Sequence, residues 1–227
     1  MLVPAAVNWQ GRSMARPKSP EREEAKRRGI LDAAARVFQR DGLRGASIAS
    51  ICRAAGISAG QLYYYFPGKE ALIEAMAEAD LANIRHFAAQ LVSLDDLLSA
   101  AVASTDVASP PDWKRAQMLG GSLAFDLHAE ASRNPRLRAI VEAHYRAISE
   151  LFGERLRQAQ AAGEVAAGHD PVRLARMVGA VREGLLTLAS AGPGMVDEAM
   201  RRDVRAMLER MARTGALDPA GAAAPAR

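Results

Sequence analysis

Apolar side chains recur every three or four residues through most of this 227-residue chain, and each run is cut by a short breaker cluster. That period lays them along one stripe of an α-helix, whereas a half-buried strand would alternate them every second residue. Ile30, Ala34, Val37 and Phe38 share a stripe of a helix predicted over about 21–40 and stopped by Asp41-Gly42. A short unit from Ser47 to Ala55 follows, with Ile48 and Ile51 on its apolar side, and Gly56 supplies the positive φ of a sharp helix-to-helix turn. Ser58-Ala59-Gly60-Gln61 reads as a capping box that opens a third helix of barely two turns, ended by Pro67-Gly68.

Beyond this point the helices lengthen. Ile73, Met76, Ile84, Phe87 and Leu91 mark the fourth, and Pro110-Pro111 precede a mainly apolar helix at about 112–132. Asn134-Pro135 break the chain before a helix at about 136–162, and Asp170-Pro171 open the next with a cap and a proline at the first helical position. Gly192-Pro193-Gly194 separate that helix from a last one carrying Val196, Met200, Met207 and Met211. Aromatic residues are only 5% of the chain, and charges fall inside the alanine-rich stretches, which suits packed helices better than stacked sheets. The expected class is all-α, with about nine helices.

The charge is unevenly placed. Lys and Arg outnumber Asp and Glu by 12 to 6 in residues 1–70 and fall behind by 18 to 20 in the remainder. A cationic segment on a near-neutral body is the layout of a nucleic-acid reader joined to another module. Two short helices about a glycine turn, inside that segment, are the elements of a helix-turn-helix. The expected organisation is a flexible arm over 1–20, a helix-turn-helix DNA-binding unit over 21–68, a larger helical bundle over 69–213 and a flexible tail over 214–227. Met14 opens a run resembling a natural start, so residues 1–13 read as an extension.

Other classes are disfavoured. The single Cys52 cannot form an internal disulfide, and the cysteine and histidines lack the spacing of a zinc site, so neither metal nor cofactor is expected and a reducing cytoplasm fits best. No run approaches the roughly 18 uncharged apolar residues of a membrane helix. No nucleophile, base and orienting group stand at catalytic spacing, so no catalytic residue is assigned.

Over about residues 21–75, and most specifically from Ser47 to Leu72, the sequence resembles the DNA-binding domain of the TetR family of bacterial transcriptional repressors. The motifs that carry the resemblance are Ala-Gly-Ile-Ser at 55–58, Leu-Tyr-Tyr-Tyr-Phe at 62–66 and Lys-Glu-Ala-Leu at 69–72. Cys52 and Pro67-Gly68 depart from the family's usual residues without changing size or turn chemistry greatly. Glu130-Ala131-Ser132-Arg133-Asn134-Pro135 and the Gly184-Leu185 region are similar to the ligand-binding part of BetI-type members. The resemblance implies a homodimer whose third helices enter successive major grooves of double-stranded operator DNA, and a C-terminal domain that binds a small molecule and lowers operator affinity.

Candidate DNA contacts follow from the residues and the resemblance together. Lys69 stands in the opening turn of a helix, where the dipole disfavours a cation, and a phosphate there would turn the misfit into an anion site. Tyr63, Tyr64 and Tyr65 are spaced at about 100° around a helix whose inner face is Leu62 and Phe66, so at most one can pack inward while the others face DNA. Ala59, Gly60 and Gln61 let the reading helix approach closely, and the Gln61 amide matches adenine unless the capping box occupies it. Ser47 and Ser58 can cap their helices and reach a phosphate. Arg44, with Arg16 and Lys18 of the arm, is expected to add phosphate or minor-groove contacts.

In the bundle, Asp80, His128 and His144 interrupt apolar stripes and need partners. With Trp113, Met118, Phe125 and Tyr145 they form a candidate ligand pocket. Leu174, Val178, Val181, Leu185 and Leu188 alternate by four and three, a heptad-like seam that, with Met200 and Met207, is the expected dimer interface, Gly179 and Gly184 allowing close approach. The expected function is a ligand-released repressor. An activator, or a helical dimer using its helix-turn-helix for protein association, is the alternative.

Overall fold

The computed structural model describes residues 19–106, 117–119, 122–192 and 194–214. Residues 1–18 of the expected arm, Pro110-Pro111, Trp113, Pro193 and the tail from residue 215 lie outside the described residues. Among the described residues there are nine helices and no strand: α1 (Pro20–Gly45), α2 (Ile48–Ala55), α3 (Ala59–Tyr65), α4 (Lys69–Ala88), α5 (Leu94–Ala103), α6 (Ser122–Ala131), α7 (Pro135–Ala161), α8 (Pro171–Ala191) and α9 (Glu198–Thr214). The chain is all-α, as its periodicity predicts.

The helix ends follow from local chemistry. Ser47 Oγ accepts the Ser50 N–H at 3.0 Å and Ser50 Oγ in turn accepts the Ser47 N–H at 3.0 Å. The reciprocal cap read from Ser58 and Gln61 is present at 3.2 and 3.1 Å. Asn134 and Asp170 cap α7 and α8, each with a proline next in the chain. Gly56, with φ 65°, takes the left-handed conformation that turns α2 into α3, where any Cβ would be strained.

Two departures from the expected boundaries have tertiary causes. Gly42 does break the first helix, with φ 71°, yet helical structure resumes through Gly45. That extra turn is held from outside, by a carboxylate of α6. Of the helix expected over 112–132, Ser122–Ala131 is helical and Gln117, Met118 and Leu119 are not, while residues 112–116, 120 and 121 lie outside the described residues. The Asp80 carboxylate, 1% exposed on α4, accepts the N–H of Met118 at 2.7 Å and of Leu119 at 2.8 Å, taking donors that a helix would otherwise satisfy.

α1, α2 and α3 close around Ile30, Phe38, Ile51 and Leu62, and the same core continues through Leu72, Ile73 and Met76 of α4 into Leu123, Leu127 and Leu137 of α6 and α7. The expected division at 68/69 therefore falls within one packed unit. A second core joins α5, the end of α7, α8 and α9 through Leu94, Leu98, Leu156, Leu174 and Leu208. α7 and α8 pack closely at Gly153, where a Cβ would meet Val172 Cγ2 at 2.8 Å and the Val172 backbone at 3.0 Å.

Candidate nucleic-acid interface and ligand cavity

The short α3 is seated by Leu62, fully buried, and by Phe66 at its end, 2% exposed. These two lie one turn apart and fix the rotation of the helix, which turns Ala59, Gly60 and Gln61 outward at its N-terminal end. A Cβ on Gly60 would meet nothing within 4 Å, so that end is open to a close partner. Tyr63 and Tyr64 are 53% and 67% exposed. Tyr65 is the inward one of the three: it packs on the core, and its hydroxyl donates to Glu23 of α1 at 2.7 Å. Gln61 is engaged by the cap, its Oε1 accepting the Ser58 N–H, so its amino group is what it presents outward. Ser47 and Ser58 are exposed at the starts of their helices, their hydroxyls already used in caps.

Lys69 and Arg44 are also occupied. Lys69 Nζ donates to the Leu43 carbonyl at 3.1 Å, one bond of the three an ammonium can make. Arg44 pairs with Glu130 of α6 at 2.6 Å, and that guanidinium holds the Glu130 carboxyl below its ordinary value. The Leu43 N–H donates to Asp126 Oδ2 of α6 at 3.0 Å. The turn that follows the Gly42 break is thus gripped on one side by the start of α4 and on the other by α6. Glycine at 42 also admits the Asp126 carboxylate, which would lie 3.0 Å from a Cβ there.

Behind this junction lie two adjoining cavities. The larger, about 830 Å³, runs between α4, α5, α6, α7 and α8. The smaller, about 80 Å³, shares with it Gln117, His128, Tyr145, Ile148, Arg182 and Glu183. Of the expected pocket residues, Phe125 lines the larger, Asp80 and His144 the smaller, and His128 and Tyr145 both. His128 and Tyr145 lie ring to ring at 5.5 Å. Met118 corrects the expectation: it is 5% exposed in the first core and lines neither cavity, because the two bonds to Asp80 draw its segment against α4. Burial pushes Asp80 up to about 6 against the lowering influence of its two N–H donors. Burial also lowers His144, whose buried Nδ1 has no hydrogen-bond partner among the described residues. Tyr145 is pushed up to about 12 by burial and by the adjacent Glu183.

Sequence reading missed the charged wall of the cavity, Arg146 on α7 with Arg176, Arg182 and Glu183 on α8. The available signal was the Arg182-Glu183 pair set between Val181 and Leu185 of an apolar stripe. The expected dimer seam is corrected in part. Leu174, Val178 and Leu185 are 1%, 5% and 4% exposed and close the chain's own cores, while Val181 and Met200 are half-buried against them. Leu188 and Met207 remain 39% and 43% exposed. Along the stripe, Leu174, Val178 and Leu185 are taken up by cores that α8 shares with α5, α7 and α9 of the same chain.

Among the described residues no helix is long and apolar enough to cross a membrane, and no group of three or more His, Cys, Asp or Glu could hold a metal ion. Residues 30–76 match the family described as bacterial regulatory proteins of the tetR type, and residues 121–213 match the BetI-type transcriptional repressor C-terminal domain. The transcriptional regulator UidR of Escherichia coli K12 is 30% identical over 183 residues, which cover 79% of this chain and 89% of the relative. The transcriptional repressor AcnR of Corynebacterium efficiens is 27% identical over 130 residues, covering 57% of this chain and 63% of the relative. The structure of Salmonella enterica GusR superposes with a TM-score of 0.68 at 32% identity, covering 83% of this chain and 96% of that one. With the exposed short helix, the core that seats it and these matches over both halves, the chain belongs to the TetR family of transcriptional regulators.

Proposed function

We propose that this regulator is a repressor that binds a palindromic operator as a homodimer and is released by a small-molecule effector. The observation that carries the reading is the outward face of α3. Gly60, Gln61, Tyr63 and Tyr64 stand exposed on a helix whose inner side is held without freedom by Leu62 and Phe66. A rigid, small-residue helix end flanked by phenols fits a major groove, with the hydroxyls donating to phosphate oxygens and the rings against thymine methyls. The Gln61 amino group supplies a base-edge donor, and the two ammonium donors of Lys69 beyond its bond to Leu43 remain for a phosphate.

Palindromy follows from two-fold symmetry, with reading helices one helical turn of DNA apart, about 34–36 Å. The dimer face we favour is the exposed side of α8 and α9, where Ala180, Gly184, Leu188 and Met207 surround a surface that backbones can approach closely. An operator places the protein's work in the cytoplasm. An effector filling the larger cavity acts by shifting populations between two positions of α6. Asp126 and Glu130 of α6 hold Leu43 and Arg44, and Leu43 holds Lys69, so displacement of α6 alters the spacing of the two reading helices.

The test is the affinity of the full chain for DNA from its own upstream region across a series of salt concentrations, with Tyr63→Ala beside it. A log–log slope of about −0.9 per phosphate contacted, and weaker binding by the variant, support the reading. Binding no tighter than to random DNA, with a salt-insensitive protein partner, would replace it with the association module.

A further inference from the structure

We infer that the larger cavity takes an amphiphilic organic anion: an apolar or aromatic body carrying a carboxylate, sulfonate or phosphate. The inference rests on the reading of that cavity as the effector site and adds the sign of the ligand's charge.

The shape and lining of the cavity define the body. About 830 Å³ is room for a ligand of ordinary cofactor or drug size, and Ile84, Phe87, Leu97, Phe125 and Phe152 present apolar surface from four helices. A small inorganic anion would leave those walls wet, so the favourable occupant carries apolar surface to bury against them.

The charge follows from which ionic groups are already spent. Arg182 pairs with Glu183, and Tyr145 lies against Glu183 as well, so this part of the wall is neutralised from within. Arg146, Arg176 and Glu142 also line the cavity, and none of the three has an oppositely charged group within 4.0 Å among the described residues. Glu142 and Arg146 are one turn apart on α7 and can compensate each other across the helix surface. Arg176 on α8 then remains without an ion pair within 4.0 Å among the described residues; the carboxylate that feels its charge, Asp170 at the start of α8, is already engaged by the N–H groups of Val172 and Arg173. Its planar guanidinium offers a carboxylate or phosphate two parallel charge-assisted hydrogen bonds, whereas an ammonium ligand would meet three guanidiniums, with Glu183 paired to Arg182 and Glu142 one turn from Arg146.

The test uses N-phenyl-1-naphthylamine, a neutral dye that brightens in apolar cavities, with the full-length dimer. It is displaced by two competitors of equal bulk and opposite charge, 1-naphthylacetate and 1-naphthylmethylammonium. The expected result is displacement by the acetate at a concentration at least tenfold below that of the ammonium compound. Arg176→Gln should erase most of that preference while leaving the affinity for the neutral dye unchanged, and an unaltered thermal melt certifies the fold. Equal potency of the two competitors, a preference for the ammonium compound, or an Arg176→Gln variant with the preference intact would each overturn the inference. Failure of the neutral dye to bind at all, or dye binding undisturbed by Phe125→Asp, would overturn the underlying reading of the cavity as a ligand site.

Discussion

Asp80 is a buried carboxylate with no ion pair within 4.0 Å among the described residues, Arg28 acting on it only from a distance, and its replacement by asparagine should change stability with a sign that depends on pH. The side chain is 1% exposed and accepts two backbone N–H groups at 2.7 and 2.8 Å. Those bonds favour the ionised form, but burial outweighs them and lifts the group from its ordinary 3.8 to about 6. The folded chain therefore binds this proton more tightly than the unfolded chain does, and stability falls as pH rises from about 4 to about 6. The full difference between 3.8 and about 6 amounts to about 3 kcal/mol, of which about 2 kcal/mol falls between pH 4.5 and pH 7.5. Asp80→Asn keeps an acceptor for one N–H and cannot titrate. It leaves the second N–H short of a partner at a cost of about 1–3 kcal/mol, which is the whole effect at low pH and is offset near neutrality by the removed charge. Urea unfolding of both proteins in parallel from pH 4.5 to pH 7.5 isolates this group, because the other titrations cancel in the difference. The variant should gain about 2 kcal/mol on the wild type across that interval. A difference that stays flat with pH would refute the claim that burial dominates the environment of Asp80.

Three further outcomes follow from the packing. Gly153→Ala forces a methyl onto the Val172 backbone and should destabilise by about 1–3 kcal/mol in thermal or urea unfolding, and a neutral result would mean that α7 and α8 separate easily. Gly184→Arg, on the exposed side of α8, should yield folded monomers in sedimentation, whereas Leu185→Asp, one residue on and 4% exposed, should lose folded protein altogether by circular dichroism. If both variants behave alike, the assignment of inner and outer faces is wrong. Asp126→Ala removes the acceptor of the Leu43 N–H and should cost about 1 kcal/mol of stability while reducing the change in operator affinity that a cavity ligand produces; full retention of that change would exclude α6 as the link.

The legible parts of this protein are those whose causes lie within a few residues. Ser58 with Gln61, Gly56, Asn134-Pro135 and Asp170-Pro171 announce helix ends because capping bonds and φ restrictions are satisfied over one turn of chain. The motifs from Ala55 to Leu72 marked the reading head for the same reason, since a helix-turn-helix is a compact unit with contiguous residues. The tyrosine triplet shows the limit: helical geometry forbids burial of all three, but only the presence of Glu23 across from α3 selects Tyr65 as the one turned inward.

Where the decisive partner is distant, local pattern says that a group needs one without naming it. Asp80 interrupts an apolar stripe, and its partners are backbone groups 38 and 39 residues on, in a segment whose own composition reads as helix. The α8 stripe is apolar and evenly spaced whichever helix covers it, so periodicity alone could not tell the chain's own α7 and α9 from a second copy. Lys69 and Arg44 were legible as misplaced or unpaired cations, yet their bonds to Leu43 and Glu130 exist only once α1, α4 and α6 meet. Sequence by itself thus determined the helical class, the breaks and the reading head, because hydrogen bonds and dihedral limits act along the chain. Tertiary structure alone decided the cavity, its charged wall and the grip of α6 on α1, because those depend on which apolar faces find each other in space and which polar groups that packing leaves to be paired.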